Sequence, residues 1–435
     1  MMDFARSDDP AVQAQLDRLA RLSPAGEPLG LERISLLLER LGRPQDRLPP
    51  VFHVAGTNGK GSTCAFLRAA LEASGRTVHI FTSPHLVRFN ERIRIAGKPI
   101  EDALLAELLA EVLDAAGGSE PSFFEAATAA AFLAFARARA DALILEVGLG
   151  GRLDATNVVE HPLVCAVASL ALDHQQWLGR GIADIAAEKA GIAKQDIPLV
   201  TQLYPPFVGS RIGEIASSVG ARWLPRGGAW DATITRGKIR YRDEQGELDL
   251  PLPRLPGRHQ VLNAGLAVAM LRHQGALPVP QTALAAGIGW ADWPARMQRL
   301  GPGPLTTMAD GAEIWVDGGH NPSAARAIAK HVRSGFSDGI PLVMLFASLA
   351  NKDARGMLTP FQRLEPEVRT LPIAGHECRS PDELASLARE LGLEATACAS
   401  LDQALAGLPQ PCRVLLFGSL YLAGQALGAN RQAPD

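Results

Sequence analysis

A glycine-rich turn that contains a lysine is the first feature of the sequence that could do chemistry. The run Gly56-Thr-Asn-Gly-Lys-Gly-Ser62 stands between an apolar strand-like segment, 51–56, and a helical segment, 60–75. Backbone amides of such a turn at a helix N-terminus can hold a phosphate group. The ammonium group of Lys60 can reach the terminal phosphates of a nucleotide. The alternative is a strand–helix turn with a solvated lysine.

The turn departs from the usual phosphate-loop pattern, G-x-x-x-x-G-K-[ST]. Val54 occupies the position of the first glycine, and Gly61 occupies the position of the hydroxyl residue. Ser62 or Thr63 must therefore supply the hydroxyl that contacts Mg²⁺. The loop by itself fits a kinase, an NTPase or a ligase.

A second glycine-rich segment, Glu146-Val-Gly-Leu-Gly-Gly-Arg-Leu-Asp-Ala-Thr-Asn157, follows the predicted strand 142–148. Ligands of open α/β sheets bind at the carboxyl ends of the strands, and a carboxylate there suits Mg²⁺. Glu146 is therefore a candidate metal ligand. The alternative is a capped turn in which Arg152 and Asp154 form a local ion pair.

Two further segments carry titratable side chains. Asp173 and His174 come just beyond the predicted strand 163–170, which offers a carboxylate and an imidazole at the same sheet edge. A structural histidine is the alternative to a metal ligand. Lys189 lies in a mostly apolar helical segment, where it either extends its stem towards solvent or, near metal ions, takes up CO₂ to become a carbamate.

The elements that position these residues alternate between short apolar strands and longer helices, which is typical of a parallel α/β sheet. The segment 232–253 differs, since alternating β-forming residues and tight turns predict hairpins. The strand–helix alternation restarts after residue 294. We therefore predict an α/β protein with a phosphate-loop, parallel-sheet N-terminal domain that includes a small β-hairpin region, residues 1–294. A smaller Rossmann-like C-terminal domain, residues 295–435, follows it.

Composition narrows the class of protein. The chain has 435 residues, 47% of them hydrophobic, and a net charge of −3, so it does not have the charge of a nucleic-acid or membrane-surface binder. No uncharged apolar run reaches the ~18–20 residues that span a bilayer, and the N-terminus does not resemble a signal peptide. The five cysteines form no CxxC pair. A reduced, cytoplasmic protein is expected.

Weaker motifs occur around the domain boundary and beyond it. Turns favour Gly, Asn and Pro in any case, so each is uninformative alone. They are Leu255-Pro-Gly-Arg-His-Gln260 with Asn263, Trp293-Pro-Ala-Arg-Met-Gln298, Asp317-Gly-Gly-His-Asn-Pro322, Asn351-Lys-Asp353 and Gly418-Ser-Leu-Tyr421.

Taken together, the motifs resemble the folylpolyglutamate synthase/dihydrofolate synthase family of the bacterial bifunctional type, which is related to the Mur cell-wall ligases. The resemblance covers nearly the whole chain. It rests on GLERI (30–34), GTNGKGS (56–62), TSPHL (82–86), FNERI (89–93), SFFE (122–125), EVGLGGRLDATN (146–157), the segments around His174 and Lys189, and the weaker motifs given in the preceding paragraph. Two small departures are Asp317-Gly-Gly-His-Asn-Pro322, where the family has DxAHNP, and Trp293-Pro-Ala-Arg296, where it often has WPGR.

The resemblance implies an ATP-dependent amide ligase that adds L-glutamate to 7,8-dihydropteroate and to folate γ-glutamyl tails through an acyl phosphate. It implies ATP and Mg²⁺ as cofactors, with two metal ions, and N6-carboxylysine at Lys189. The implied catalytic residues are Lys60, Lys189 and His320, and the implied metal ligands are Ser83, Glu146 and His174, with Ser62 contributing a hydroxyl. The implied nucleotide-binding residues are Asn58, Gly59, Lys60, Gly61, Ser62, Asn263, Arg296 and Asp317. Phe124, Glu125, Arg152 and Asp154 are implied to contact the pterin, and His320 and Ser419 to orient glutamate.

Three alternatives remain open. The chain could extend folate tails only, although segments 27–33 and 122–125 resemble those that form a dihydropteroate pocket in bifunctional members. A Mur-type peptide ligase is disfavoured by GLERI and SFFE, and a non-catalytic phosphate-loop protein by the retained Glu146, His174 and Lys189. The expected partners are the small-molecule substrates, with no nucleic acid and no membrane, and a monomer is expected.

Overall fold

The computed structural model describes residues 7–22, 29–117 and 120–434. These residues form two compact units, the first within Met1–Arg254 and Gln260–Asp292, the second within Leu255–His259 and Trp293–Pro434. The short segment Leu255–His259 thus groups with the second unit, whereas the sequence predicts that all residues before 295 belong to the first domain. The functional identities given to the two domains stay predictions.

The main sheet of the first unit is mostly parallel. Its strands are β1 (Val51–Ala55), β2 (Val78–Phe81), β3 (Ile93–Ile95), β4 (Lys98–Pro99), β5 (Ala142–Glu146), β6 (Val164–Val167), β7 (Pro198–Thr201) and β8 (Arg222–Pro225). They lie in the order β4-β3-β2-β5-β1-β6-β7-β8, with β3 antiparallel to its neighbours. Central strands β1 and β5 are buried at every position because both faces of a parallel sheet are covered, and all their residues except His53 and Glu146 are apolar. Their register pairs Val54 with Glu146, just before the phosphate loop.

Helices surround this sheet. They are α1 (Pro10–Leu22), α2 (Glu32–Arg40), α3 (Lys60–Ala73), α4 (Asp102–Ala116), α5 (Phe123–Arg137), α6 (Gln175–Leu178), α7 (Ile182–Ala190), α8 (Pro206–Ser218), α9 (His259–His273) and α10 (Gln281–Trp290). One apolar core joins α1, α2, α4 and α5 to β2 and β5, and another joins α7 and α8 to β6 and β7. Within the described ranges no helix has the length and apolarity to cross a bilayer.

The predicted hairpin region is confirmed. Strands β9 (Trp230–Thr235), β10 (Lys238–Asp243) and β11 (Gly246–Leu250) form a separate antiparallel sheet. The β9–β10 turn places Arg236 at φ 49° and Gly237 at φ 74°, the conformation that a two-residue hairpin turn requires.

The second unit repeats the strand–helix alternation around its own core. Its strands are β12 (Gln298–Arg299), β13 (Glu313–Val316), β14 (Leu342–Phe346), β15 (Glu367–Thr370), β16 (Ala395–Ala397) and β17 (Arg413–Phe417). Their order is β12-β13-β17-β14-β15-β16, parallel apart from β12. The helices are α11 (Pro304–Met308), α12 (Pro322–Gly335), α13 (Ala354–Leu358), α14 (Pro381–Glu390), α15 (Leu401–Leu405) and α16 (Leu420–Ala429). The predicted fold class is confirmed.

Candidate functional site

The phosphate loop connects β1 to α3 in the way the sequence predicts. Gly56 and Gly59 both have positive φ angles, 151° and 86°, which allow the tight turn. Helix α3 begins at Lys60, whose Nζ donates to the carbonyl of Gly56 at 3.2 Å. The hydroxyl of Thr63 donates to the carbonyl of Gly59, so it is committed to the helix backbone. Of the two hydroxyl candidates, this geometry favours Ser62.

Asn263 lies against the same loop. A Cβ atom at Gly59 would lie 2.4 Å from Oδ1 of Asn263, so only glycine fits there. The Asn263 side chain is itself held by a hydrogen bond from its Nδ2 to Oε1 of Gln260, 2.9 Å long, in the buried first turns of α9. The structure therefore brings Asn263 to the loop residues Asn58–Ser62, 200 positions earlier in the chain. Its role in nucleotide binding stays a prediction.

Gly59→Ala is expected to weaken ATP binding about tenfold or more, because the new Cβ strains a φ of 86° and displaces Asn263. Isothermal titration calorimetry with a non-hydrolysable ATP analogue measures the change. Gly75→Ala is the matched control, since Gly75 also has a positive φ, 82°, but its Cβ would meet no atom within 4 Å. Equal losses of affinity in both variants would show that the Asn263 contact does not matter.

A buried carboxylate stands beside the loop. Glu146 ends β5 and is 5% exposed, and its Oε1 lies 3.9 Å from Nζ of Lys60. Ser83 lies just beyond β2, the strand next to β5, and is partly buried. His174 follows β6 with a left-handed φ of 52° and donates its backbone N–H to Oδ1 of Asp173. The three predicted metal ligands thus follow three strands of one sheet, at the edge where the strands end.

These donors fit a Mg²⁺ ion that is also held by nucleotide phosphates. Within residues 7–22, 29–117 and 120–434, no group of three or more His, Cys, Asp and Glu side chains is arranged to hold a metal ion. Mg²⁺ commonly uses one or two carboxylates together with substrate phosphates and water, so Glu146 and the Ser83 hydroxyl suit it. The Asp173 carboxylate, 3.9 Å from Nε2 of His174, can orient that imidazole.

Lys189 is buried, which the sequence alone left undecided. It lies in the last turn of α7, is 5% exposed, and has a pKa lowered to about 7, first by burial and then by the charge of Lys60. The carboxylates of Asp173 and Asp154 act in the opposite direction. A Cβ at Gly151 would lie 2.9 Å from the carbonyl oxygen of Lys189, so the glycine-rich loop packs directly on this turn. The alternative, in which Lys189 extends its stem towards solvent, is therefore wrong.

The loop between β5 and the turn at residues 155–158 is held by side chains that do not pair with each other. Arg152 forms an ion pair with Glu188 on α7, 2.8 Å, rather than with Asp154. Asp154 is buried and accepts from the backbone N–H groups of Leu149 and Thr156. The alternative of a local Arg152–Asp154 ion pair is therefore wrong. The contact of Arg152 and Asp154 with the pterin stays a prediction.

The Phe124 ring, which we call the predicted pterin platform, is partly exposed. The Phe124 ring contacts the Phe81 ring, with centroids 5.8 Å apart, and packs so closely on Gly148 that a Cβ there would lie 2.5 Å from its Cζ. Glu125 closes a capping box with Ser122 at the start of α5 and accepts from Nε of Arg33 at 3.2 Å. Within the predicted pocket segment 27–33, residues 27 and 28 lie outside the described part of the chain.

The second unit holds its own set of predicted residues. Asp317 follows β13, and its buried carboxylate accepts from the backbone N–H groups of Met297 and Gly319. Burial raises its pKa, and Arg296 lowers it. His320 donates from Nδ1 to the carbonyl of Gly318 at 3.0 Å. Ser419 follows β17 and caps α16 by accepting from the N–H of Tyr421. Both parallel strands end at this edge.

Two histidines near these residues were not assigned a role from the sequence. His376 stacks on Tyr421, with ring centroids 3.7 Å apart, beside Ser419. Burial lowers the pKa of His259 to about 4, and the charges of His331 and Arg296 add to that effect. His259 had a signal, its place in the Leu255–Gln260 motif, whereas His376 had none because its partner lies 45 positions away.

Comparison with known proteins is consistent with this geometry. The chain is 35% identical over 401 residues to the dihydrofolate synthase/folylpolyglutamate synthase of Escherichia coli, covering 92% of this chain and 90% of that relative. It superposes on a solved structure of Escherichia coli FolC in complex with DHPP and ADP with a TM-score of 0.86 at 33% identity, covering 98% of each chain.

A second solved structure is a bifunctional folylpolyglutamate synthase/dihydrofolate synthase with Mn, AMPPNP and L-glutamate bound. Its TM-score is 0.84 at 31% identity, covering 97% of this chain and 99% of that chain. No protein-family model matches the chain. Identity above 30% across nine-tenths of both sequences, with the same two-unit α/β architecture, is nevertheless sufficient. The chain belongs to the dihydrofolate synthase/folylpolyglutamate synthase family.

Proposed function

We propose that this chain is an ATP-dependent ligase that joins L-glutamate to 7,8-dihydropteroate, giving dihydrofolate, and to the γ-glutamyl tails of folates. The observation that carries the proposal is a phosphate loop whose lysine lies 3.9 Å from the buried carboxylate of Glu146, at the ligand edge of a parallel sheet. Relatives bearing both enzyme names, and solved structures with DHPP, ADP, AMPPNP and L-glutamate, support it.

The proposed reaction begins when the acceptor carboxylate attacks the γ-phosphate of ATP, which breaks the bond to the β,γ-bridging oxygen, releases ADP and forms an acyl phosphate. Two anions must meet in line, so positioning and charge neutralisation supply most of the rate enhancement. We propose that Lys60 and the backbone amides of Gly59, Gly61 and Ser62 hold the triphosphate. Asn58 belongs to the same proposed phosphate site, although its own backbone amide donates to the carbonyl of Ser169. Asn263, Arg296 and Asp317 are the proposed contacts for the rest of the nucleotide.

A divalent ion would be held by Ser83, Glu146 and His174, with the Ser62 hydroxyl. When bound, such an ion supplies charge stabilisation for the transferring phosphoryl group. The chain's own contribution is the Asp173 carboxylate beside His174 and the buried Lys189 amine. With a pKa of about 7, this amine is about half neutral near pH 7, and only a neutral amine can take up CO₂. We therefore propose N6-carboxylysine at Lys189 and a second metal ion beside it.

The second step is attack of the glutamate amine on the acyl phosphate, with release of phosphate. Because Nδ1 of His320 donates to the carbonyl of Gly318, Nε2 is the acceptor of the neutral ring. In this form the imidazole can take a proton from the incoming ammonium group. Ser419 is the proposed contact that orients glutamate.

On the acceptor side, we propose that the pterin lies against the Phe124 ring, as flat heteroaromatic rings do on an aromatic face. Glu125, Arg152 and Asp154 belong to the segments around it. Since all five cysteines are free thiols, a reducing compartment such as the cytoplasm suits the chain. We propose that it acts there as a monomer.

The acceptor decides between the bifunctional enzyme and one that extends tails only. With MgATP and L-glutamate, we expect purified protein to release phosphate in stoichiometric amount with dihydrofolate from 7,8-dihydropteroate, and to lengthen the tail of tetrahydrofolate. Mass spectrometry of both products is the measurement. Tail extension without dihydrofolate formation would reduce the proposal to a folylpolyglutamate synthase. If neither acceptor supported ATP turnover, the proposed function would be contradicted altogether.

A further inference from the structure

A buried hydrogen-bonded chain of three side chains lies beneath the glycine-rich loop. Nε2 of His53, in the middle of β1, lies 2.8 Å from Oγ1 of Thr156. That hydroxyl in turn donates to Oδ1 of Asp154 at 2.5 Å. His53 and Thr156 have no exposed surface, and Asp154 is 3% exposed. This series of hydrogen bonds therefore connects the centre of the sheet to the glycine-rich loop, and solvent does not reach it at His53 or Thr156.

The direction of each hydrogen bond in this chain is determined. A threonine hydroxyl has one proton, and here it goes to Asp154, so Oγ1 must accept from His53. His53 consequently carries its proton on Nε2, and its Nδ1 has no hydrogen-bond partner among the residues that the structure describes. Burial lowers the pKa of His53 to about 3, so the ring is neutral at physiological pH. A neutral donor at one end and a carboxylate at the other fix the Thr156 hydroxyl between them.

The loop side of the chain leads to the predicted pterin platform. The second oxygen of Asp154, Oδ2, accepts from the backbone N–H of Leu149 at 2.9 Å. Leu149 follows Gly148, the residue that packs on the Phe124 ring. The position of Gly148, and with it that of the Phe124 ring, therefore depends on where Asp154 is held.

We propose that Thr156 and His53 are positioning residues for the pterin acceptor: they hold Asp154, which fixes the Gly148–Leu149 backbone against Phe124. The inference rests on the proposed function, since it concerns the acceptor side of that site. Neither residue touches substrate, because both are fully buried. Loss of the Thr156 hydroxyl or of the His53 ring changes the position of Gly148 and Phe124, which form what we call the acceptor wall, and leaves the phosphate loop intact.

Thr156→Val keeps the side-chain shape but removes the hydroxyl, and Thr156→Ser restores it. For Thr156→Val we expect the Kd and KM for 7,8-dihydropteroate to rise about five- to twentyfold, while the KM for ATP and kcat stay within about twofold. Thr156→Ser should return the acceptor constants to within about threefold of wild type. Isothermal titration calorimetry gives the Kd without turnover, and steady-state kinetics gives the rest.

Gly148→Ala tests the same wall from its surface, because the added Cβ would lie 2.5 Å from the Phe124 ring. It should raise the acceptor Kd similarly, and the double variant should lose less than the product of the two single losses, since both act on one contact. Gly148→Ala tests the inference even if the Thr156→Val protein does not fold. Thr370→Val is the matched control, a fully buried threonine of the second unit whose hydroxyl donates to the carbonyl of Pro381.

The outcomes separate the inference from the proposed function. A lower unfolding temperature of Thr156→Val with an unchanged acceptor Kd would show a purely structural role and overturn the inference. So would an unchanged Kd in Gly148→Ala, or an acceptor Kd in Thr370→Val raised as much as in Thr156→Val. Wild-type protein that binds ATP but no pterin acceptor would instead overturn the proposed function, and this inference with it.

Discussion

Lys60→Ala is expected to lower kcat about 10²-fold or more and to leave the protein folded. The ammonium group of Lys60 lies over the phosphate loop, within 3.2 Å of the Gly56 carbonyl, where it can neutralise the transferring phosphate. Helix α3 does not need that charge, since its first turn is organised by the loop backbone. Phosphate release and glutamylated product, measured together, give kcat.

The control for this prediction is Arg68→Ala on the same helix. Arg68 forms an i,i+4 ion pair with Glu72 on the partly exposed face of α3, so its loss should change activity less than about twofold. Lys60→Met retains most of the side-chain stem and should be as inactive as Lys60→Ala if charge is what matters. A folded Lys60→Met protein with near-normal turnover would contradict the phosphate-binding role.

Lys189→Ala is expected to be nearly inactive, with about a 10²-fold lower kcat, and to regain part of its activity in the presence of acetate or formate. The reason is that a carbamate at Lys189 presents a carboxylate-like group, and a small carboxylate can occupy the space that the truncated side chain leaves. The neutral amine needed for carbamate formation follows from the lowered pKa of about 7, whose main cause is burial. Kinetics with increasing acetate is the measurement.

Carbon-13 NMR of the wild-type protein in labelled bicarbonate gives a readout independent of turnover. We expect a carbamate resonance that disappears in Lys189→Ala and weakens below pH 7, where the amine is protonated and carbamates decompose. Lys194→Ala is the matched control: its partly buried ammonium donates to the carbonyl of Asn157, and acetate should not change its activity. A carbamate signal that persists in Lys189→Ala would assign the modification elsewhere.

Most of the helices and strands, and the candidate site residues, could be predicted from the sequence. Short apolar runs such as 142–148 predict buried parallel strands, and the glycine-rich turn at 56–62 predicts a phosphate loop, because these properties depend on a few neighbouring residues. The hairpins at 232–253 were predictable for the same reason. The family resemblance adds predicted roles that spacing could not provide, for instance those of Ser83 and Arg296, and these roles stay predictions.

The surroundings of those residues, in contrast, depend on contacts that form only in the folded protein. Lys189 could have been solvated, and its burial depends on packing against Gly151, 38 positions earlier. Arg152 selected Glu188 rather than Asp154, and Asp154 was drawn into a chain with His53, more than 100 positions away. Local sequence pattern encodes strand, helix and turn, whereas burial, pKa and hydrogen-bond direction arise from contacts between segments that are distant in sequence, so they exist only once the sheet has assembled.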